Sequence, residues 1–165
     1  AALAMGDALA VVLLEKRGFK EEDFAMRHPG GILGRKLLLL VEDLMHRGDQ
    51  VPLVKQDKPM KEALFEITSK RLGVTGVVDS QGKFVGIITD GDLRRALERH
   101  RDIFNLKARD LMTRDPKTIP ATKLAAEAVA VMEQYAITSL FVLKNGTRTP
   151  LGVIHLHDLV KSGLV

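Results

Sequence analysis

The chain has 165 residues, of which 45% are hydrophobic and 28% are charged, and its formal net charge at pH 7 is +4. This composition is typical of one ordinary globular domain or of two small ones. The absence of cysteine excludes disulfides, thiol catalysis and zinc fingers, and it agrees with a reducing compartment. Aromatic residues make up only 4%, which argues against a nucleic-acid-binding protein, and the apolar runs are too short to span a membrane. We therefore expect a cytoplasmic protein that binds neither nucleic acid nor membrane.

The N-terminal part predicts a helix followed by a glycine-rich loop. Residues 1–16 are rich in Ala and Leu, and Gly18 is expected to end the helix. Residues 28–34 read His-Pro-Gly-Gly-Ile-Leu-Gly, which predicts a loop whose backbone N–H groups can approach a phosphate and whose histidine can transfer protons. A plain connector explains the same residues. Because the chain opens on Ala1 inside a helical pattern, we expect it to belong to a longer protein.

A short motif occurs twice in the rest of the chain. Residues 86–93 read Gly-Ile-Ile-Thr-Asp-Gly-Asp-Leu, and residues 152–159 read Gly-Val-Ile-His-Leu-His-Asp-Leu, an offset of 66 positions. Each copy places β-branched residues that suit a buried strand before an Asp-Leu pair at the start of a helix. Three flanking matches occur in the same order: residues 43–45 with 110–112, 62–63 with 127–128, and 73–75 with 136–138. This self-similarity predicts one supersecondary unit that is used twice.

Each unit is predicted to run strand, helix, strand, strand, helix, so the fold class is α/β, in the α+β form. The predicted strands are residues 51–54, 76–79, 85–89, 118–120, 140–143 and 152–155. The predicted helices begin after Asp57, cover residues 90–99 and 123–135, and follow His155. Because proline cannot donate to a central ladder, residues 51–54 are expected to lie at a sheet edge.

Neither unit carries enough apolar residues to fold alone, so we expect the two to pack face to face as a pseudo-symmetric pair. Asp57 is expected to cap the first long helix, and Tyr135 is expected to lie on the buried face of its counterpart. Three methionines, Met60, Met112 and Met132, are expected to fill gaps in the core.

Thr89 and Asp92 satisfy the capping-box rule, in which a threonine before a helix and an acid three residues later bind the exposed backbone N–H groups. That structural role explains both residues. The same groups also bring a hydroxyl, a carboxylate and a helix N-terminus to the end of a strand, where ribose hydroxyls and phosphate oxygens can be held. In the second copy His155 replaces the threonine while Asp158 remains. Capping alone and capping combined with ligand binding both stay open.

Other polar patterns have simple explanations. Arg94 and Arg95 share a helix with acidic residues, which is typical of a solvated face, although a phosphate-facing role is an alternative. His155 and His157 lack partners at a recognisable metal-ligand spacing, so no metal site is expected. No Ser-His-Asp order, paired-carboxylate arrangement or Walker sequence occurs. The predicted chemistry is therefore binding and not turnover.

Residues 43–97 and 110–163 resemble two tandem CBS domains, because residues 86–93 match that family's ligand motif of a Ser or Thr and an Asp separated by two residues. The resemblance implies an intramolecular pair around a cleft that binds AMP, ATP or nucleotide conjugates. It gives ribose and phosphate roles to Thr89, Asp92 and Asp158, whereas His155 departs from the family pattern and suggests a ligand other than plain adenosine. The implied nucleobase contacts lie near Val51, Pro52, Thr75, Gly76, Thr118, Ile119, Thr138 and Ser139.

Residues 1–42 resemble the end of the sugar isomerase (SIS) domain of bacterial D-arabinose 5-phosphate isomerases. These enzymes interconvert ribulose 5-phosphate and arabinose 5-phosphate and feed the Kdo branch of lipopolysaccharide synthesis. The family places a histidine of its His-Pro-Gly-Gly motif in the active site, so His28 is the implied proton-transfer residue. The implied domains are residues 1–42, the SIS remnant and linker, then residues 43–107 and 108–165, the two CBS domains.

The two resemblances together imply a regulatory module of an arabinose 5-phosphate isomerase. Its expected ligand is a nucleotide or nucleotide sugar, either AMP, ATP or CMP-Kdo, and no cofactor is required. The alternative is a ligand-free oligomerisation module of the same or a related sugar-phosphate isomerase. CBS pairs of the family commonly meet a second pair through helices, so we expect a homodimer or tetramer. Because His28 is the single active-site candidate present, the chain alone is expected to be inactive.

Overall fold

The computed structural model describes residues 2–19, 23, 31, 34, 37–100 and 102–164. The first element is helix α1, Ala2–Lys16, which ends as predicted at Gly18, where φ is +61°. The next backbone N–H, that of Phe19, bonds the carbonyl of Leu14 at 3.0 Å. The loop position of His28 lies outside the described residues.

The two repeats follow in the order that the sequence predicts. The first contains the following elements: α2 (Val41–Leu44), β1 (His46–Arg47), β2 (Leu53–Lys55), α3 (Met60–Lys70), β3 (Val74–Val78), β4 (Phe84–Thr89) and α4 (Asp90–Arg99). The second contains the following: α5 (Ala108–Leu111), β5 (Thr113–Arg114), β6 (Thr118–Pro120), α6 (Ala125–Tyr135), β7 (Ser139–Leu143), β8 (Pro150–His155) and α7 (Leu156–Lys161). The α+β fold class is confirmed, although the sequence prediction did not include α2, β1, α5 and β5.

The strands form two mixed four-stranded sheets, with orders β2-β3-β4-β5 and β1-β8-β7-β6. In each sheet one edge strand runs parallel to its neighbour, β2 to β3 and β6 to β7, while the other pairs are antiparallel. Strand β2 lies at a sheet edge as predicted, but it begins at Leu53, and the carbonyl of Pro52 just before it accepts a hydrogen bond from the N–H of Gly76 in β3 at 2.9 Å. This placement agrees with the missing N–H of proline.

The repeats exchange the short segments with which they begin. Strand β1 leads into the first repeat but pairs with β8 of the second, where His46 lies opposite Val153. Strand β5 leads into the second repeat but pairs with β4 of the first, where Thr113 lies opposite Ile87. Each sheet is therefore completed by the strand that enters the other repeat.

The short helices beside these strands are exchanged in the same way. Val41 of α2 is fully buried in the core of the second repeat, and its N–H donates to the carbonyl of Lys123 at 2.8 Å. Ala108 of α5 is fully buried in the core of the first repeat, and its N–H donates to the carbonyl of Lys58 at 2.9 Å. Neither core is complete without a segment from outside its own repeat.

A third apolar cluster joins the two repeats. The rings of Phe84 and Phe141 lie with their centroids 4.9 Å apart, packed with Val51, Val74 and Val153. This cluster confirms the shared face that the sequence predicts. The methionines predicted as core filler are also buried: Met60, Met112 and Met132.

Two details of the prediction are wrong. Asp57 does not cap α3, whose N-cap is Pro59; the carboxylate of Asp57 instead accepts a hydrogen bond from Nη1 of Arg109 at 2.6 Å. Tyr135 is not on the buried face of α6, because it is the last residue of the helix and its side chain turns outward, leaving it 43% exposed. Met132, one turn earlier, takes the buried position.

Two equivalent glycines allow the exchanged strands to approach. A Cβ built on Gly152 would lie 2.5 Å from the carbonyl oxygen of His46, and one built on Gly86 would lie 2.7 Å from that of Thr113. We predict that Gly152→Ala and Gly86→Ala each lower the free energy of unfolding by about 1 to 3 kcal/mol through overpacking. Urea denaturation measures the change.

The control for this prediction is Gly6→Ala in α1, where no heavy atom lies within 4 Å of the added Cβ. Its effect should be neutral or slightly stabilising, because alanine is the better helix former. Unchanged stability of Gly152→Ala would contradict the close approach of β1 to β8.

Candidate ligand-binding cleft

A cleft of about 770 Å³ lies between the two repeats. It is formed by the ends of β4 and β8, the beginnings of β3 and β7, the ends of α3 and α6, and the chain around residues 113–117. Its volume is within the range of small-molecule sites in proteins. The pseudo-symmetry of the pair thus brings both copies of the repeated motif to one cavity.

The strand pairing defines which residues are equivalent in the two repeats. Helices α3 and α6 both end in a left-handed residue, Arg71 with φ 59° and Ala136 with φ 50°, an offset of 65 positions. Val74 lies opposite Thr89, as Ser139 lies opposite His155. The predicted match of residues 73–75 with 136–138 is therefore wrong by two positions.

These equivalences define two half-sites. The first half-site consists of Val74, Thr89, Asp92 and Thr113. The second half-site consists of the equivalent residues Ser139, His155, Asp158 and His46. In each half-site one residue comes from the exchanged strand, Thr113 from β5 or His46 from β1.

The first half-site contains the predicted capping box. The N–H of Asp92 donates to Oγ1 of Thr89 at 3.2 Å, and the N–H and hydroxyl of Thr89 donate to Oδ2 of Asp92 at 2.8 and 2.6 Å. Nη2 of Arg95 donates to Oδ1 of the same carboxylate at 2.7 Å. Burial raises the pKa of Asp92, but the hydrogen bonds from Thr89 and the Arg95 guanidinium outweigh it and hold this pKa below its usual value. The carboxylate is therefore ionised at neutral pH, and the charge of Arg95 is balanced by it.

The second half-site has a different hydrogen-bond pattern. Nδ1 of His155 accepts a hydrogen bond from the N–H of His157 at 3.1 Å, so the ring caps α7 in place of a hydroxyl. Asp158 is engaged elsewhere, because its Oδ2 lies 2.8 Å from Nε2 of His46. Burial lowers the pKa of His155; the Asp158 carboxylate opposes this shift, and His157 and His46 add to it. The imidazole of His155 is consequently neutral at pH 7.

One buried polar atom of the cleft has no partner. Oγ of Ser139 is inaccessible to solvent and makes no hydrogen bond within the described part of the chain. Ser139 lines the cleft beside His155, its antiparallel strand partner. An unpaired buried hydroxyl is costly in a protein interior.

The cleft is also lined by an aromatic ring and a cation that the sequence analysis did not assign to the site. Nζ of Lys117 lies 4.3 Å from the ring centroid of Tyr135, and both residues line the cleft with Arg71. Tyr135 is the one tyrosine of the sequence, but it belongs to no motif. Only the fold shows that Tyr135, at the end of α6, lies next to Lys117.

The predicted site residues divide into three groups. Thr89, Thr138, Ser139 and His155 line the cleft. Asp92 and Asp158 lie behind them, held by Thr89 and by His46. The others, Thr75, Thr118 and Ile119, are not among the lining residues of this cleft: Thr75 is fully buried, Thr118 is paired in β6 and Ile119 packs in the second core. The ligand roles of all these residues stay predictions.

The residues that the structure describes include neither a metal-binding cluster nor a membrane-spanning helix. Among those residues, no three or more His, Cys, Asp and Glu side chains are grouped so as to hold a metal ion. In the same ranges, every helix is too short or too polar to cross a bilayer.

The CBS domain family model matches residues 41–99 and 108–164. The chain belongs to the CBS domain family. Over its full 165 residues it is 49% identical to arabinose 5-phosphate isomerase KdsD of Yersinia pestis, and over 163 residues it is 50% identical to KdsD of Pseudomonas aeruginosa. It spans about half the length of these curated relatives, 50% in both cases.

Solved CBS structures share the fold at low sequence identity. A CBS domain pair of protein MJ0100, in complex with methylthioadenosine and S-adenosyl-L-methionine, superposes with a TM-score of 0.65 at 23% identity and covers 74% of this chain and 93% of its own. CBSX2 in complex with AMP gives 0.65 at 20% identity, covering 76% and 96%. A putative acetoin utilization protein (AcuB) from Vibrio cholerae gives 0.68 at 22%, covering 78% and 92%. These matches confirm the CBS-pair architecture.

The lowered pKa of Asp92 makes its contribution to stability depend on pH. A carboxyl whose folded pKa is below its unfolded value stabilises the fold above the unfolded value, near 3.8, and loses this effect as the pH falls through the folded pKa. We predict that Asp92→Asn costs about 1 to 2 kcal/mol at pH 7, and that the difference from wild type shrinks below about pH 4. Thermal unfolding across pH 2 to 7 measures it, with Asp7→Asn on the exposed face of α1 as the control. A difference that is constant with pH would contradict the hydrogen-bonded carboxylate.

Proposed function

We propose that this CBS pair is the regulatory module of an arabinose 5-phosphate isomerase and that it binds a nucleotide in the cleft between its repeats. The observation that carries the proposal is the cleft itself, where the capped N-terminus of α4, a cation and an aromatic ring surround about 770 Å³. Phosphate oxygens suit backbone N–H groups at a helix N-terminus, and a ring beside a cation suits a base and its phosphates.

The parent enzyme is proposed because the chain is 49% and 50% identical to two arabinose 5-phosphate isomerases over 165 and 163 of its residues. In this proposal residues 1–42 end the SIS domain, with His28 as the active-site remnant, and residues 43–107 and 108–165 are the two CBS domains. The full-length protein would be a cytoplasmic isomerase of ribulose 5-phosphate and arabinose 5-phosphate in the Kdo branch of lipopolysaccharide synthesis. The chain alone would be inactive, since aldose–ketose isomerisation needs more than one catalytic group.

The candidate ligands are AMP, ATP and CMP-Kdo. Asp92 would bind a ribose diol after Thr89 gives up its hydroxyl contact, and Lys117 would pair with a phosphate. Adenosine compounds bound to structural neighbours support a nucleotide. CMP-Kdo, the activated sugar at the end of the pathway, would close a feedback loop on the parent enzyme.

The ligand is testable with the chain itself. We predict that CMP-Kdo, AMP or ATP raises the unfolding temperature, because a ligand at a hundred times its Kd stabilises the native state by about 2.7 kcal/mol. Lys117→Ala should weaken binding by about 1 to 2 kcal/mol, roughly tenfold, through loss of a charge-assisted contact. Lys83→Ala, an exposed lysine in the turn before β4, is the matched control. No thermal shift or binding heat with any of the three nucleotides would contradict the proposed function.

A second candidate function is ligand-free oligomerisation. Three large apolar side chains are exposed on or beside the C-terminal helices of the repeats: Leu97 at 63%, Phe104 at 57% and Val160 at 46%. These residues favour a contact with a second pair, which buries apolar surface in a symmetric interface. We predict a dimer or tetramer in light scattering at micromolar concentration, weakened by Leu97→Glu. A monomeric mass would contradict self-association.

Deletion from the full-length parent separates the two functions. Loss of the response of isomerase activity to nucleotide, with assembly retained, supports the regulatory role. Loss of assembly alone supports the oligomerisation role.

A further inference from the structure

The two half-sites have unequal chemistry although the fold makes them equivalent. Ser139 stands where the first repeat has Val74, and His155 stands where it has Thr89. His46 stands where the exchanged strand β5 has Thr113. At all three positions the side chain of the second half-site has different hydrogen-bonding groups from its equivalent in the first.

Ser139 is the first indication of what the second half-site binds. Its equivalent, Val74, is 3% exposed and packs in the cluster between the repeats, so the fold itself does not require a hydroxyl at this position. The hydroxyl of Ser139 is buried and has no hydrogen-bond partner in the described ranges. A buried hydroxyl without a partner destabilises the unliganded protein, and a ligand that pairs with it removes this cost.

His155 is the second indication. Because its Nδ1 accepts a hydrogen bond from the N–H of His157, the proton of the neutral ring resides on Nε2. His155 lines the cleft, and Ser139 is its directly opposed partner in the antiparallel pair. Side chains at such positions have Cβ atoms about 4.5 to 5.5 Å apart on the same face of a sheet. The two residues therefore offer an N–H and an O–H donor at adjacent positions.

The charges around the cleft indicate the sign of the bound group. In the first half-site Asp90 lines the cleft, while Asp92 lies behind Thr89 and is paired with Arg95. In the second half-site the carboxylate of Asp158 is bound to His46 at 2.8 Å, and Asp115 is paired with Arg148. Lys117 adds a positive charge at the cleft wall. Asp92, Asp115 and Asp158 thus each have a partner, whereas Lys117 and Arg71, which both line the cleft, form no ion pair within the described ranges.

We infer that the second half-site binds an anionic oxygen group of the nucleotide ligand, a carboxylate or a terminal phosphate, through Ser139 Oγ and His155 Nε2. The first half-site binds the ribose. This inference rests on the proposed nucleotide binding and adds that the ligand carries a second anionic group, so that a nucleotide sugar acid or a nucleoside triphosphate is preferred to a nucleoside monophosphate. One ligand then spans both halves of the cleft.

Two pairs of probes test the inference by calorimetry. CMP and CMP-Kdo differ by a carboxylate-bearing sugar, and AMP and ATP differ by two phosphates. Wild type should bind CMP-Kdo more tightly than CMP, or ATP more tightly than AMP, by at least about tenfold. Ser139→Ala should remove most of that difference, while binding of the monophosphate stays within about twofold. Ser69→Ala, the same change on the exposed surface of α3, is the matched control and should change nothing.

The stability of the unliganded protein gives a second readout. If the hydroxyl of Ser139 serves a ligand and not the fold, Ser139→Ala should leave the unfolding temperature unchanged or raise it. A lower unfolding temperature would assign Ser139 a structural role and overturn the inference. His155→Thr, which restores the residue of the first repeat, should also reduce the preference for CMP-Kdo over CMP or for ATP over AMP.

The outcomes separate this inference from the proposed function. Dependence on Ser139 for CMP-Kdo assigns the site to a carboxylate, and dependence for ATP assigns it to a phosphate. Equal binding of both members of each pair, unaffected by Ser139→Ala, overturns the inference while nucleotide binding stands. Failure of all four probes to bind overturns both.

Discussion

The exchange of β1 and β5 between the sheets is the constraint on which the rest of the structure depends. Val41 completes the core of the second repeat and Ala108 completes that of the first, so each repeat borrows apolar volume and strand pairing from the segment that enters the other. A repeat of this size buries too little surface to be stable alone. The exchange also fixes the distance between the two copies of the motif, because β4 and β8 are each held between a partner of their own repeat and one from the neighbouring segment.

The pseudo-symmetry of the two repeats determines where the cleft lies. The residues that differ between the repeats determine its chemistry. Thr89 and Asp92 form a complete capping box, whereas His155 caps α7 through its ring and Asp158 bonds His46 on the exchanged strand. A scaffold with two equivalent strand ends can keep one half-site for a ribose and change the other for a different group. A nucleotide bound in such a cleft would affect β1 directly. The reason is that the contact between His46 and Asp158 connects the second half-site to the segment that enters the first repeat.

Much of the fold could be predicted from the sequence, because β-branched runs before Asp-Leu identify buried strands and the helices that follow them. The capping box was predictable for the same local reason. The exchanged strands were not, since two-residue elements such as His46–Arg47 carry no periodicity. Nor was the bond between His46 and Asp158, whose positions differ by 112. The match of residues 73–75 failed because short apolar matches fit at more than one register, and only the strand pairing shows that Val74 corresponds to Ser139.

Native-state hydrogen exchange of the whole chain is the most direct test of whether the swapped strands β1 and β5 make the two repeats one cooperative unit. The amides of Val41 and Ala108 donate to carbonyls of the repeat that each one completes, and amides of β3 and β7 report the two sheets. If the repeats are interdependent, all four sets should exchange through one global opening with the same free energy and the same dependence on denaturant. Exchange of β3 through an opening that leaves β7 protected would contradict this and show two repeats that unfold independently.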